Sequence, residues 1–332
     1  MIQHFRFGSP IRTDSVVQDI PVSTGAVPFL TADADGWVYT MAPDAIVYGL
    51  GEMPRGINKR GWHYVANNTD ESHHGENKVS YYGAHNFLLI DGGPGGDLFG
   101  VFVDFPGKVH YDIGYTVHDT LRFATEEPDY ELYILTGADL NDIAHQFRQL
   151  IGRSYIPPKW AFGLQQSRWG YKTAEDVREV ARQYKENDLP LDMICMDIDY
   201  MQDYADFTIN KERFPDLAAL AAELKAQGIR LVPIIDAGVR IDSEEPTCTE
   251  GLEKGYFCKK EDGTPFVAAV WPGKAYFADF LRPEVRAWFG HRYKVLTDYF
   301  HSLQAWKQQY APKQPEDEWH PLFVEALQRE SY

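Results

Sequence analysis

The hydrophobic pattern of this 332-residue chain changes period once, and that change restricts the fold more than any other feature. Up to about Thr136, apolar residues cluster in short β-rich runs separated by Gly, Pro, Asn and Asp. Examples are Trp37-Val38-Tyr39-Thr40-Met41, Asn86-Phe87-Leu88-Leu89-Ile90, Leu98-Phe99-Gly100-Val101-Phe102-Val103 and Tyr130-Glu131-Leu132-Tyr133-Ile134-Leu135. Close strand spacing without helices in between predicts an antiparallel β-sandwich over residues 1–150. Gly92-Gly93-Pro94-Gly95-Gly96 lies between two of these runs with no helix behind it, so it reads as a hairpin turn and not a phosphate cradle. A helix with Ile143, Phe147 and Leu150 on one face closes this half, and Tyr155-Ile156-Pro157-Pro158 forms the linker.

After Lys159 strands and helices alternate. Trp160 to Gln166 reads as a strand, a helix starts near Thr173 with Asp176 at capping-box spacing, and Leu191 to Asp197 is the next strand. Residues 215–227 predict a helix with Leu217, Leu220 and Leu224 facing inward; Gly228 ends it, and Ile229 to Asp236 is a third strand. This alternation implies right-handed βαβ units around a parallel sheet. A last helix begins at Pro283 with Val285, Phe289 and Leu296 on its apolar face. The intervening insertion, 237–282, is rich in Gly, Cys and aromatic residues, and a connection that long at the carboxyl end of a strand shapes a binding site.

Charge and cysteine usage remove several classes. A formal charge of −17, from 32 basic and 49 acidic residues, argues against a nucleic-acid partner, which needs a basic face. Three cysteines are too few for a disulfide framework. The start has no apolar signal-like region, and no apolar run approaches the roughly 18 residues a membrane span needs. The expectation is a soluble cytoplasmic protein without a membrane partner.

In parallel α/β folds, ligands sit beyond the carboxyl ends of the strands. Those ends here are Arg168-Trp169-Gly170-Tyr171, Asp197-Ile198-Asp199 and Ile234-Ile235-Asp236. Acids beside aromatics at one rim suit sugars, because carboxylates accept from paired hydroxyls while aromatic rings cover the apolar face of a pyranose. Each acid alone also fits a helix cap or a loop ion pair. Asp197 and Asp199 resemble an Asp-x-Asp cation site, but two acids do not complete an oxygen-rich cage. His73-His74 with Glu76 and His85 resembles a zinc cluster, yet adjacent strand histidines point to opposite faces. No metal or cofactor is expected.

Several spaced motifs carry a resemblance. Ser167-Arg168-Trp169-Gly170-Tyr171, Asp197-Ile198-Asp199-Tyr200-Met201 with Asp206-Phe207-Thr208, Phe214-Pro215-Asp216 and Ile234-Ile235-Asp236 resemble glycoside hydrolase family 31. So do Val270-Trp271-Pro272-Gly273, Phe277-Ala278-Asp279-Phe280, Tyr48-Gly49-Leu50-Gly51-Glu52 and Asn58-Lys59-Arg60-Gly61. The likeness runs from about residue 45 to Asp298. It implies a β-sandwich followed by a (β/α)8 barrel, retaining α-glucosidase chemistry with α-xylosidases among the relatives, and an α-linked oligosaccharide as substrate. It also implies that Asp197 binds hydroxyls of the non-reducing sugar, that Trp169, Ile198, Ile234 and Trp271 wall that subsite, and that Asp70 reaches in from a sandwich loop. Asp236, ending the third barrel strand, is a further substrate-binding candidate.

The same resemblance exposes a gap. Retaining hydrolysis needs two carboxyl groups about 5 to 5.5 Å apart. The family's nucleophile lies in a Trp-Asn-Asp-Met-Asn-Glu-type motif on the fourth barrel strand and its acid/base on a later one. This sequence contains neither, so no catalytic residue is assigned. An ungapped continuation of the register puts Lys307 at the nucleophile position, and the tail 301–332 diverges. A closed barrel takes about 250 residues, and the pattern from 155 to 300 yields three barrel strands. The expectation is an incomplete barrel, from a chain truncated before the nucleophile or from a split enzyme whose second chain supplies the rest. The alternative is a non-catalytic sugar-binding or interaction remnant.

Overall fold

The computed structural model describes residues 1–152, 157–271 and 273–299, with side chains as far as Leu296. Tyr155 and Ile156 of the linker, Lys307 and the tail 301–332 lie outside the described residues. Two compact units divide at Ser154 and Tyr155.

In the first unit the strands are β1 (Ile2–Phe7), β2 (Thr31–Asp33), β3 (Gly36–Thr40), β4 (Ile46–Gly51) and β5 (Trp62–Ala66). They continue with β6 (Ala84–Asp91), β7 (Leu98–Asp104), β8 (Val109–Ile113), β9 (Thr120–Thr125) and β10 (Tyr130–Thr136), and helix α1 (Leu140–Leu150) follows. They form two antiparallel five-stranded sheets, ordered β1-β10-β7-β6-β4 and β2-β3-β9-β8-β5. One core takes the inward residues of both: Val47, Leu88, Ile90, Phe99 and Val101 from the first, and Tyr39, Tyr64, Tyr111, Ile113 and Phe123 from the second. This is a β-sandwich. The 92–96 glycine segment joins β6 to β7 as a hairpin, with Gly96 N–H donating to Gly93 C=O at 3.0 Å.

Strand β7 is apolar at nearly every position, and its surroundings explain why. Phe99, Val101 and Val103 enter the inter-sheet core, while Phe102 on the other face packs under α1 beside Ile143, Leu150 and Phe147. A strand covered on both faces loses the alternation of a half-exposed one. Gly100 permits the close approach of α1, since a Cβ there would stand 2.9 Å from Ile143 Cγ2.

The second unit contains β11 (Gln165–Arg168), α2 (Ala174–Glu186), β12 (Met193–Met196), α3 (Leu217–Ala226) and β13 (Arg230–Pro233). It continues with β14 (Gly238–Arg240), α4 (Pro246–Glu253), β15 (Val267–Val270), β16 (Gly273–Phe277), α5 (Pro283–Arg292) and α6 (Lys294–Tyr299). Among the described residues, β11-β12-β13 make a parallel sheet with β12 central. Ile194 and Met196 meet Val177 and Ala181 of α2 and Leu217, Leu220 and Leu224 of α3 in one core. Thr173 and Asp176 form the reciprocal capping box that opens α2. Thr173→Ala should therefore destabilise this unit by about 1 kcal/mol, read as a lower urea midpoint with an unchanged slope.

Three local expectations change. The strand read from Trp160 to Gln166 starts later: a 3-10 turn occupies Lys159–Phe162, seeded by Ala161 N–H donating to Pro158 C=O at 2.9 Å, and pairing begins at Gln165. The helix from Pro283 breaks at Tyr293 into α5 and α6. The insertion 237–282 is a folded part of the unit: an antiparallel sheet ordered β14-β16-β15, with α4 and α5 packed beside it through Cys248, Phe257, Val285, Trp288 and Phe289.

Candidate sugar-binding site

Parallel register builds the centre of the site. Arg168 on β11 lies opposite Met196 on β12, which lies opposite Pro233 on β13. The next residue on each strand, Trp169, Asp197 and Ile234, therefore stands in one row at the carboxyl rim, the edge where barrel active sites form. Trp169 is 63% exposed and Ile234 42%, with Asp197 half-buried between them. Apolar surface flanking a carboxylate is the arrangement a pyranose requires.

Asp197 is held locally. Its carboxylate accepts from Ile198 N–H at 2.7 Å and caps a 3-10 turn over Ile198–Tyr200. That turn carries Ile198 inward, where its side chain joins the core with Tyr200 and Met201 behind the row. Asp199 is buried as well: one carboxylate oxygen accepts from Tyr204 O–H at 3.4 Å, and the other has no hydrogen-bond partner.

The return loop is strained and acidic. Asp203, Tyr204 and Phe207 all have positive φ, at 50°, 59° and 62°, a conformation that costs non-glycine residues of order 1 kcal/mol or more each and clusters at functional sites. Asp206, 4% exposed, leaves Oδ2 without a partner, as does Asp236. Burial pushes the Asp206 carboxyl up to about 8, and the nearby charge of Asp236 adds to the shift. Burial raises Asp236 too, with Asp197 as its second cause. Asp236 is thus coupled to Asp206 on one side and to Asp197 on the other.

The other sequence-derived residues lie elsewhere. Trp271 is 81% exposed at the tip of the β15–β16 hairpin, in the antiparallel sheet that follows β13 rather than in the parallel row. Asp70 belongs to the first unit, on the loop between β5 and β6, where its exposed carboxylate lies near the Tyr82 hydroxyl. Among the described residues no group of three or more His, Cys, Asp or Glu side chains could hold a metal ion. His74 packs against Tyr81 and Tyr82 with ring centroids at 4.8 and 5.6 Å. Asp206 and Tyr200 fall within the motifs that carry the resemblance, which assign them no role. An acid set between Ala205 and Phe207 was the available signal for burial of Asp206.

The comparisons with known proteins follow the same division. Residues 154–320 match the TIM-barrel domain of glycosyl hydrolases family 31, and residues 26–112 match the family's N-terminal galactose mutarotase-like domain. Alpha-glucosidase 2 of Bacillus thermoamyloliquefaciens is 39% identical over 76% of this chain and 32% of its own length. Alpha-xylosidase 1 of Arabidopsis thaliana is 30% identical over 78% of this chain and 28% of its own length. A Flavobacterium johnsoniae dextranase of the same family, solved with isomaltotriose, superposes with a TM-score of 0.70 at 25% identity, over 82% of this chain and 34% of its own. The chain spans about a third of the length of these relatives. With both domain types matched in order and glycosidases on every side, the chain belongs to glycosyl hydrolase family 31.

Proposed function

We propose that this chain forms the glucose-recognising part of a retaining α-glucosidase site acting on α-linked oligosaccharides. The observation that carries the reading is the row Trp169, Asp197 and Ile234, set by the parallel register of β11, β12 and β13. In this reading Asp197 accepts from hydroxyls of the non-reducing glucose, Trp169, Ile234 and Trp271 wall it, Ile198 backs Asp197, and Asp236 supports the rim. Among the described residues three parallel barrel strands are present, and the remaining strands and both reacting carboxyls of a family 31 barrel lie outside them. Double displacement, with attack by one carboxylate and proton donation by the other, then occurs only in the assembled barrel. Three unpaired thiols, Cys195, Cys248 and Cys258, support a reducing, cytoplasmic setting.

Calorimetry with isomaltose tests the binding half. The native chain should bind, and Asp197→Asn should weaken binding about ten- to hundredfold, the worth of a charge-assisted hydrogen bond. Equal affinity in the two proteins rules out the role given to Asp197. Incubation with p-nitrophenyl α-glucoside tests the rest, because the purified chain should show no turnover above the blank. Binding without turnover even after the rest of a family 31 barrel is supplied would favour the non-catalytic sugar-binding remnant, a reading supported by the missing nucleophile motif.

A further inference from the structure

We propose that Tyr200 is a positioning residue that fixes the sugar-facing end of β13 against the end of β12. The ladder between the two strands weakens where the site begins. Pro233, opposite Met196, has no N–H to donate, and the last ladder bond is Ile234 N–H to Met196 C=O at 3.0 Å. Beyond it the Ile234 carbonyl has no strand partner on β12, whose chain has already turned at Asp197. The Tyr200 hydroxyl takes that carbonyl at 2.7 Å.

Tyr200 suits this task through its burial, with Asp206, Tyr293 and Asp236 acting on its hydroxyl electrostatically. Its side chain is fully buried, so its hydroxyl bond forms without water exchange, in surroundings where an unmade bond is expensive. Its backbone carbonyl accepts from Asn210 N–H at 2.8 Å, which closes the strained return loop onto the same residue. The 3-10 turn capped by Asp197 sets where the ring enters the core. One tyrosine thereby links the Asp197 turn, the 201–210 loop and Ile234, with Asp236 two residues further on. The sugar role of this link rests on the binding site proposed above, whereas the link itself does not.

The test labels Ile δ1-methyl groups with ¹³C in the full chain and assigns Ile234 and Ile194 by their Val substitutions. Tyr200→Phe should move the Ile234 methyl signal by more than its linewidth and leave Ile194, in the core of β12, in place. Tyr184→Phe, which removes a 2.6 Å hydroxyl bond to Gln166 in the same unit, should leave the Ile234 signal unmoved; Gln166 pairs with Ile194, so only Ile234 is read in this variant. Isomaltose affinity should fall about tenfold in Tyr200→Phe and stay unchanged in Tyr184→Phe. An unmoved Ile234 signal overturns the proposal, as does an Ile194 shift of equal size, which would mark Tyr200 as core packing alone. Unchanged affinity in Tyr200→Phe overturns the sugar role. If the native chain itself does not bind isomaltose, the site reading fails and takes that role with it, while the methyl signals still decide the link. Should Tyr200→Phe fail to fold, the native hydroxyl proton decides: slow exchange with a cross-peak to Ile234 supports the link, and rapid exchange overturns it.

Discussion

The stability of the second unit should fall as pH rises from about 4 to about 8, and Asp206→Asn should remove most of that fall. The sign follows from linkage. The Asp206 carboxyl is pushed up to about 8 in the folded chain, against an ordinary value of 3.8. Between those two values the native state holds a proton that the unfolded chain has released. Fewer protons bound in the unfolded state means that stability declines with rising pH, fully present below about 4 and lost through about 8. Asp206 is 4% exposed, so little solvent screening reduces the effect. At 1.36 kcal/mol per unit the whole limb is on the order of 5 kcal/mol.

Asparagine keeps the shape of the carboxyl and cannot ionise. The variant should match the native chain near pH 4 and exceed its stability at pH 8. A shallower slope of the same sign should persist, because Asp236 is also raised. Urea unfolding at several pH values, followed by near-ultraviolet circular dichroism, checks this. A flat native profile, or a full slope retained in Asp206→Asn, would show that Asp206 ionises freely in the fold.

Gly49→Ala should destabilise the sandwich by about 3 kcal/mol or more. Gly49 sits in β4 at φ 119°, next to the register shift between Gly49 and Gly51, and a Cβ there would overlap the backbone carbonyl oxygen of Phe87 on β6. Two costs combine: a left-handed backbone, about 1 kcal/mol for alanine, and forced separation of two paired strands, about 1–3 kcal/mol. Gly95→Ala separates them. Its φ is 77° but no atom lies within 4 Å of its Cβ position, so only the backbone cost applies. Urea midpoints should place Gly49→Ala about 2 kcal/mol below Gly95→Ala, and equal losses would mean that the strands part freely.

These two sites mark where sequence reading stops. Tyr48-Gly49-Leu50-Gly51-Glu52 was visible as a motif, yet its purpose lies in the Phe87 carbonyl, on a strand about 40 residues away. The buried ionisable group at Asp206 likewise depends on what the fold packs around it.

Periodicity and punctuation by themselves determined the two-part organisation, most strands, the capping box at Thr173 and the inward leucines of α3, because these follow from short-range sterics and amphipathicity. Strand starts such as Gln165 and the folding of 237–282 into a sheet depended on hydrogen-bond partners distant in sequence. The acids at the strand ends were legible as chemistry. Only the tertiary structure decided their order: parallel register set Trp169, Asp197 and Ile234 in one row, the 3-10 turn at Asp197 carried Ile198 into the core, and the return loop brought Asp206 to Asp236. Distances between strands, and the desolvation that comes with them, are properties of the packed sheet and not of any one segment.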